Sequence, residues 1–320
     1  MSKLLVYIPA YKNHLELAIS QAAALKAQWN SDLELKIKHE LEIYLSINGL
    51  DCELIVPEGV FDYVYHSRIN IGWDANMNKG FLEALKIRPD YYWLLSCDDS
   101  VTDTALKKIF EATEISSEAK LIVTKFGANF EVETINKIFD ISSEYSLGLI
   151  SSIIYNFKYC ESAFPSGFYY GWTGWGQISV LLKILNIYED VEVVAADPKF
   201  FYERISYASQ NNLLDNITKY QHSYYGNLLL RLANTKNKTD SKKVAILWVF
   251  RNLKFHNLYS KAIWPPSNEP DSPESINWRK NYVETLIKGN SIFSWLIYII
   301  FSRIPIKFLI NKYKSKSNYS

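Results

Sequence analysis

Asp90-Tyr91-Tyr92-Trp93-Leu94-Leu95-Ser96-Cys97-Asp98-Asp99-Ser100 is the stretch on which the fold reading turns. From Tyr91 to Leu95 it is apolar and aromatic without a break, as in a strand buried on both faces of a parallel sheet. It then ends abruptly in two adjacent acids. Neighbouring carboxylates repel each other, and desolvating them is costly unless a cation is near. A hard divalent ion such as Mg2+ or Mn2+ takes oxygen ligands, and would accept one or two of these carboxylates together with diphosphate oxygens. The competing reading is an Asp-Asp cap on a helix that begins near Thr102. The acid pair alone does not separate the two.

Toward the N-terminus, Leu4–Ile8 is a short apolar run that stops at Pro9 and reads as a buried strand. Leu15, Ala18, Ile19, Ala22 and Leu25 repeat at helical spacing within 14–29. Leu41–Ile47 is a second strand, closed by the turn pair Asn48-Gly49, and Asp62–His66 is a third. Trp73–Ile87 reads as a helix ended by Arg88-Pro89. This β-α-β-β-α-β order predicts an α/β fold with a mostly parallel sheet and helices on both faces. In such sheets ligands bind beyond the carboxyl ends of the strands. Pro9–Tyr11, Asn48-Gly49 and Asp98-Asp99 all fall at such ends, so three segments converge on one crevice.

Toward the C-terminus the spacing predicts a helix over 102–115 with Thr102 as N-cap. Strands are predicted at 121–123, 147–155 and 191–195, with an aromatic, Gly-rich loop at 157–177 and a helix from Ile178. Residues 205–263 read as a helical extension and 264–276, with four prolines, as a linker. The expected division is a domain at 1–204 (halves at about 1–100 and 101–204), the extension, the linker, and a terminal segment at 277–320.

The 320 residues carry 35 Lys+Arg against 34 Asp+Glu, a formal +1 that argues against a basic nucleic-acid binder. That average hides two unlike parts. Residues 291–320 hold Arg303, Lys307, Lys312, Lys314 and Lys316 and no acid, which leaves the rest of the chain mildly acidic. Ile292–Phe301 is apolar with Trp295 and Tyr298 inside it, and Ser302-Arg303-Ile304-Pro305 then interrupts. Ten apolar residues are too few to cross a bilayer core, which takes roughly 20. The pattern suits a segment lying in the interface of an anionic membrane. A helix packed on protein is the other reading. Hydrophobic residues make up 48%, which places the chain among globular proteins. Three cysteines without zinc or haem spacing make no disulfide framework and fit a cytoplasmic location. Many Lys, Asn, Ile and Tyr residues suit a bacterial source rich in A and T.

The motifs together resemble the family-2-like glycosyltransferases of the GT-A fold, over roughly residues 3–200. Val6-Tyr7-Ile8-Pro9-Ala10-Tyr11 is similar to the family's first strand and its "IPxYN" ending. Asn70-Ile71-Gly72 with Ala75-Asn76 and Gly80 resembles the "NxG…N…G" segment. Asp90–Ser100 resembles the strand that ends in the acidic DXD motif. Leu149-Ile150-Ser151-Ser152-Ile153-Ile154-Tyr155 resembles a strand of the O-antigen sugar transferases.

The resemblance implies a GT-A, Rossmann-like domain followed by a helical C-terminal region, and a metal-assisted, inverting transfer from a nucleotide-sugar donor to a lipid-linked or oligosaccharide acceptor. Pro9, Tyr11, Asn48, Asn70, Gly72, Asn76 and Asp98 would bind the donor. Asp98 and Asp99 would hold Mg2+ or Mn2+, with Asp99 the direct ligand and His222 a further one. Glu161 and Asp197 are the base candidates, because Gln177 stands where the family places an acid. Trp172 and Trp175 would contact acceptor sugars. The protein would sit on the inner face of the cell membrane through 291–320. Ile47 and Cys97 depart from the family's acids. Those departures support the alternative of a non-catalytic binding or scaffold protein on a degenerate transferase fold. A sugar nucleotidyltransferase is disfavoured because 9–13 lacks glycine, and a serine hydrolase because no GxSxG occurs.

Overall fold

A computed structural model describes residues 1–51, 53–134, 149–169, 176–188 and 190–204. The predicted strand near the N-terminus is β1 (Ser2–Tyr11), followed by α1 (Leu15–Ser31), α2 (Leu33–Lys38) and β2 (His39–Asn48). Then come β3 (Tyr63–Ser67), α3 (Trp73–Ile87), β4 (Tyr91–Leu94), β5 (Asp99–Val101) and α4 (Ala105–Ile115). The remaining elements are β6 (Leu121–Thr124), β7 (Glu131–Thr134), β8 (Ile153–Asn156), α5 (Phe157–Cys160), α6 (Phe164–Tyr169), α7 (Gly176–Ile187), β9 (Glu192–Ala196) and β10 (Tyr202–Arg204).

Among the described residues, eight strands form one sheet in the order β3-β2-β1-β4-β8-β6-β9-β7. The pairings of β1 with β2 and β4, of β2 with β3 and of β6 with β9 are parallel. Those of β8 with β4 and β6, and of β7 with β9, are antiparallel. The α/β fold expected from the sequence is therefore found. The part built from β1 to β4 is wholly parallel and the rest mixed.

Alternate residues of β1 feed two cores. Leu4, Val6, Ile8 and Ala10 join Trp93, Ala18, Ala22, Leu25, Leu106, Ile109 and Phe110 beneath α1 and α4. Burying each large apolar side chain of this kind contributes roughly 1.5–3 kcal/mol. On the opposite face Phe81, Tyr92, Tyr155 and Phe164 form an aromatic cluster with ring centroids 5.4–6.0 Å apart. Gly80 lets α3 lie directly on Tyr7 and Tyr92, because a Cβ there would collide with both rings' atoms. Arg88 closes α3 in the left-handed conformation (φ 54°), and Pro89 prevents any further turn.

Several elements differ from the sequence expectation: β1 runs on past Pro9 to Tyr11, and Ile150–Ser152 of the strand expected at 147–155 forms a 3-10 turn. Helix α4 starts at Ala105 rather than Thr102, because Asp99–Val101 pairs antiparallel with β10 instead. The Thr102 hydroxyl donates to the Phe200 carbonyl (3.0 Å) and caps nothing. The aromatic stretch expected to be a loop at 157–177 is helical at α5, α6 and the start of α7, because Phe157 and Phe164 face the core. Trp172, Trp175, His222, the extension, the linker and the 291–320 tail lie outside the described residues. No helix among the described residues is long and apolar enough to cross a membrane.

Candidate active site

β1 and β4 part company at their carboxyl ends. Their pairing stops at Tyr7 opposite Leu94, whereas β1 continues along β2 to Tyr11 opposite Asn48. The chain also changes direction here, since β2 and β3 lie on one side of β1 and β4 on the other. That is the switch point at which doubly wound sheets open a crevice. Pro9 is buried in one wall, and Tyr11 is half-buried at its lip. Gly49 adopts φ 73°, and a Cβ on it would stand 2.7 Å from the Tyr11 ring, so glycine lets that ring pack closely on the turn.

The wall on the β2 side is built from asparagines. Buried Asn48 accepts from the Ile71 amide (2.8 Å) and donates to Asn70 Oδ1 (3.0 Å) and the Gly72 carbonyl (3.3 Å). Asn70 Oδ1 also accepts from the Gly72 amide at 2.9 Å. The loop before α3 is thus closed on itself, and Gly72 reaches φ 87° to start the helix. That start faces the crevice edge, where a helix N-terminus favours an anion. Asn70 and Gly72 remain exposed. Asn76 has a different job from the donor contact expected of it. It is 2% exposed, its amide donates to the carbonyls of Ala10 (3.1 Å) and Ser46 (2.9 Å), and its oxygen accepts from Ser46 Oγ (2.6 Å). With both amide hydrogens and its oxygen engaged, Asn76 bolts β1 to β2.

The other wall carries the acids. Asp98 is half-buried and accepts from Ser96 Oγ; Asp99 is 5% exposed and accepts from Ser151 Oγ. Among the described residues no Lys or Arg lies within ion-pair reach of Asp98. Asp99 thus faces inward, and Asp98 is the more accessible carboxylate. Cys97, between Ser96 and the acids, is 4% exposed, and burial pushes its thiol up to about 12, with Asp98 adding to the shift. It is neutral and no substitute for a third acid. His14, exposed in the turn after β1, places Nδ1 3.7 Å from Cys97 Sγ. His222, the histidine expected from the sequence, lies outside the described residues.

Asp98, with Asp99 behind it, suits an ion that keeps waters and takes the rest of its shell from a diphosphate. The pair does not make a protein-only cage, and no cluster of three metal-binding side chains occurs among the described residues.

The two base candidates are both engaged elsewhere. Glu161 forms a forked ion pair with Arg88, whose Nη2 donates at 3.0 Å. Arg88 precedes β4, so Glu161 stands at the amino end of the sheet, away from the acid pair. Asp197 does lie at the carboxyl edge, after β9. Its Oδ2 accepts from the Gly127 amide (2.7 Å) and its Oδ1 from the Lys199 amide (3.0 Å), so it ties two turns together. The first of these turns presents Phe126, 61% exposed. β6 lies two strands from β4, roughly 10 Å away at ordinary strand spacing.

No protein-family model matches the chain, and no curated protein matches it in sequence. Solved structures do. S. aureus TarS residues 1–349 in complex with UDP-GlcNAc superimposes with a TM-score of 0.57 at 15% identity, covering 88% of this chain and 81% of that one. The same TarS fragment with UDP gives 0.55 at 14%, covering 88% and 80%. The mannosyltransferase PcManGT from Pyrobaculum calidifontis, in complex with GDP-Man and Mn2+, gives 0.51 at 8%, covering 94% and 79%. At these identities the likeness is one of fold: the chain is folded like glycosyltransferases that bind nucleotide sugars.

Proposed function

We propose that this chain is a glycosyltransferase that moves a sugar from a nucleotide-sugar donor to a hydroxyl of a lipid-linked or oligosaccharide acceptor in bacterial surface-polysaccharide synthesis of the O-antigen type. The observation that carries the proposal is the acid pair at the carboxyl end of β4, beside a crevice at the sheet's switch point. Support comes from neighbours of like fold that hold UDP-GlcNAc, and GDP-Man with Mn2+.

In this reading the base and ribose lie along Pro9, Tyr11 and the Asn48–Gly72 loop. The diphosphate lies between the α3 N-terminus and Asp98. Mg2+ or Mn2+ held by Asp98, with Asp99 behind it, would neutralise charge on the departing diphosphate. The protein supplies the rest by position: Gly49 lets Tyr11 pack closely on the turn, and Asn48 fixes the loop that aims the helix end. Phe126 offers a flat apolar face to an acceptor sugar, taking the part expected of Trp172 and Trp175. Residues 1–204 form the catalytic domain, and 277–320 hold it at an anionic membrane on the cytoplasmic side.

Screening nucleotide sugars for donor hydrolysis by the full-length protein, with Mg2+ or Mn2+, tests this reading. Release of one nucleoside diphosphate above background supports it. A specific observation favours a second reading, a non-catalytic binder: Glu161 and Asp197 are both committed to structural contacts. Nucleotide binding without hydrolysis or transfer for any donor would select that reading.

A further inference from the structure

Ser151 stands just before β8, which runs antiparallel beside β4, and it is 1% exposed. Its hydroxyl donates to Asp99 Oδ2 and accepts from the Ser96 amide (2.9 Å). Its carbonyl accepts from Trp93 Nε1 at 2.9 Å. A serine hydroxyl has a single proton to give. Here that proton goes to the buried acid, and a lone pair holds the backbone of the turn that leads to the half-buried one. Ser96 in turn spends its own hydroxyl on Asp98. One side chain thus touches both Asp99 and the turn that leads to Asp98.

We infer that Ser151 is a positioning residue for the acid pair: it holds Asp99 inward and fixes the Ser96 amide so that Asp98 is the carboxylate turned toward the crevice. This inference rests on the donor reading for what the pair is for. The physical argument is the cost of removing the hydroxyl. In Ser151→Ala a buried amide and a buried carboxylate each lose a partner, and the turn must rearrange to recover them. The Trp93 contact uses the Ser151 backbone and survives the change. Ser152 provides the control, since it is equally buried but gives its hydroxyl to the Leu149 carbonyl.

The test uses full-length protein and follows free Mn2+ by electron paramagnetic resonance during titration with UDP or with GDP. Ser151→Ala is expected to raise the Kd for Mn2+ in the presence of nucleotide by about tenfold or more, as for a lost hydrogen bond to a charged group. Ser151→Thr, which keeps the hydroxyl, should restore most of the affinity, and Ser152→Ala should bind as the wild type does. A Ser151→Ala Kd equal to that of Ser152→Ala overturns the inference. The ligand-free crystal structure of Ser151→Ala gives a readout that needs no nucleotide. Displacement of Asp99 and re-forming of the 96–98 turn is expected, and an unmoved acid pair overturns the inference. Wild-type protein that binds neither nucleotide would defeat the donor reading, while the crystal structure would still decide the role of Ser151. Ser151→Cys carries the same predictions if the alanine variant does not fold.

Discussion

The two ends of the central sheet handle charge in opposite ways. At the amino end, charges stand in opposite-sign pairs: Arg88 forks onto Glu161, and Lys3 meets Glu42 at 3.1 Å and Glu40 at 3.7 Å. Those residues border or approach an open groove of about 880 Å3 in which acids and bases alternate. At the carboxyl end two acids adjoin each other and are held by serine hydroxyls, with no cation at Asp98 among the described residues. Paired opposite charges need nothing further. A carboxylate such as Asp98, beside a second acid and bonded to a neutral hydroxyl, favours a positive partner.

The largest expected effect comes from removing one charge at each end. Asp98→Asn should lower metal-dependent donor turnover on the order of a hundredfold or more, because a ligand to the cation is lost. Glu161→Gln, at the other end, should leave turnover within about twofold and cost no more than about 1 kcal/mol, as for other exposed ion pairs. Steady-state kinetics and thermal melts of the two variants read both numbers. Equal losses of activity would break the contrast.

Next in size is Asn76→Ala. It strips partners from two buried carbonyls and one hydroxyl, and should destabilise the fold by about 2–4 kcal/mol. Urea unfolding measures this. A loss of nucleotide affinity at unchanged stability would instead return Asn76 to the donor site. The smallest effect concerns Cys97. Its folded-state pKa stands above the ordinary value of 9.0 at about 12. The thiolate needed for alkylation is therefore scarce in the native state. By the same linkage, between those two values the unfolded chain gives up the proton while the folded chain keeps it, so stability falls as pH rises. Iodoacetamide at pH 8 should label the Cys97 peptide only after denaturation, as peptide mass spectrometry would show.

Much of the donor half was legible in the sequence. An apolar run with a Pro, an Asn-Gly or an Asp-Asp at its end is a local pattern, and β1, β2 and β4 follow from it. Helix α3 has the bounds its Gly72 and Arg88-Pro89 punctuation predicts. What escaped was set by distant partners. β5 pairs with β10 about a hundred residues on, and nothing local in Asp99-Ser100-Val101 announces that. Glu161 read as a base candidate, because the sequence does not say which end of the sheet a helix will occupy. Asn76 looked like a ligand contact because an asparagine bolting two strands and one binding a sugar nucleotide are the same residue type. Ser151 was visible only as part of a motif. Its role depends on β8 running antiparallel to β4, which brings the start of one strand to the end of the other.

The claim that the carboxyl end between β1 and β4 receives the ligand is tested most directly by a crystal structure of the full-length protein with UDP or GDP and Mn2+. The account predicts the nucleotide between Tyr11 and the Asn48–Gly72 loop, with its diphosphate beside Asp98. Nucleotide bound in the amino-end groove, among Arg88, Asp90 and Lys158, would contradict it.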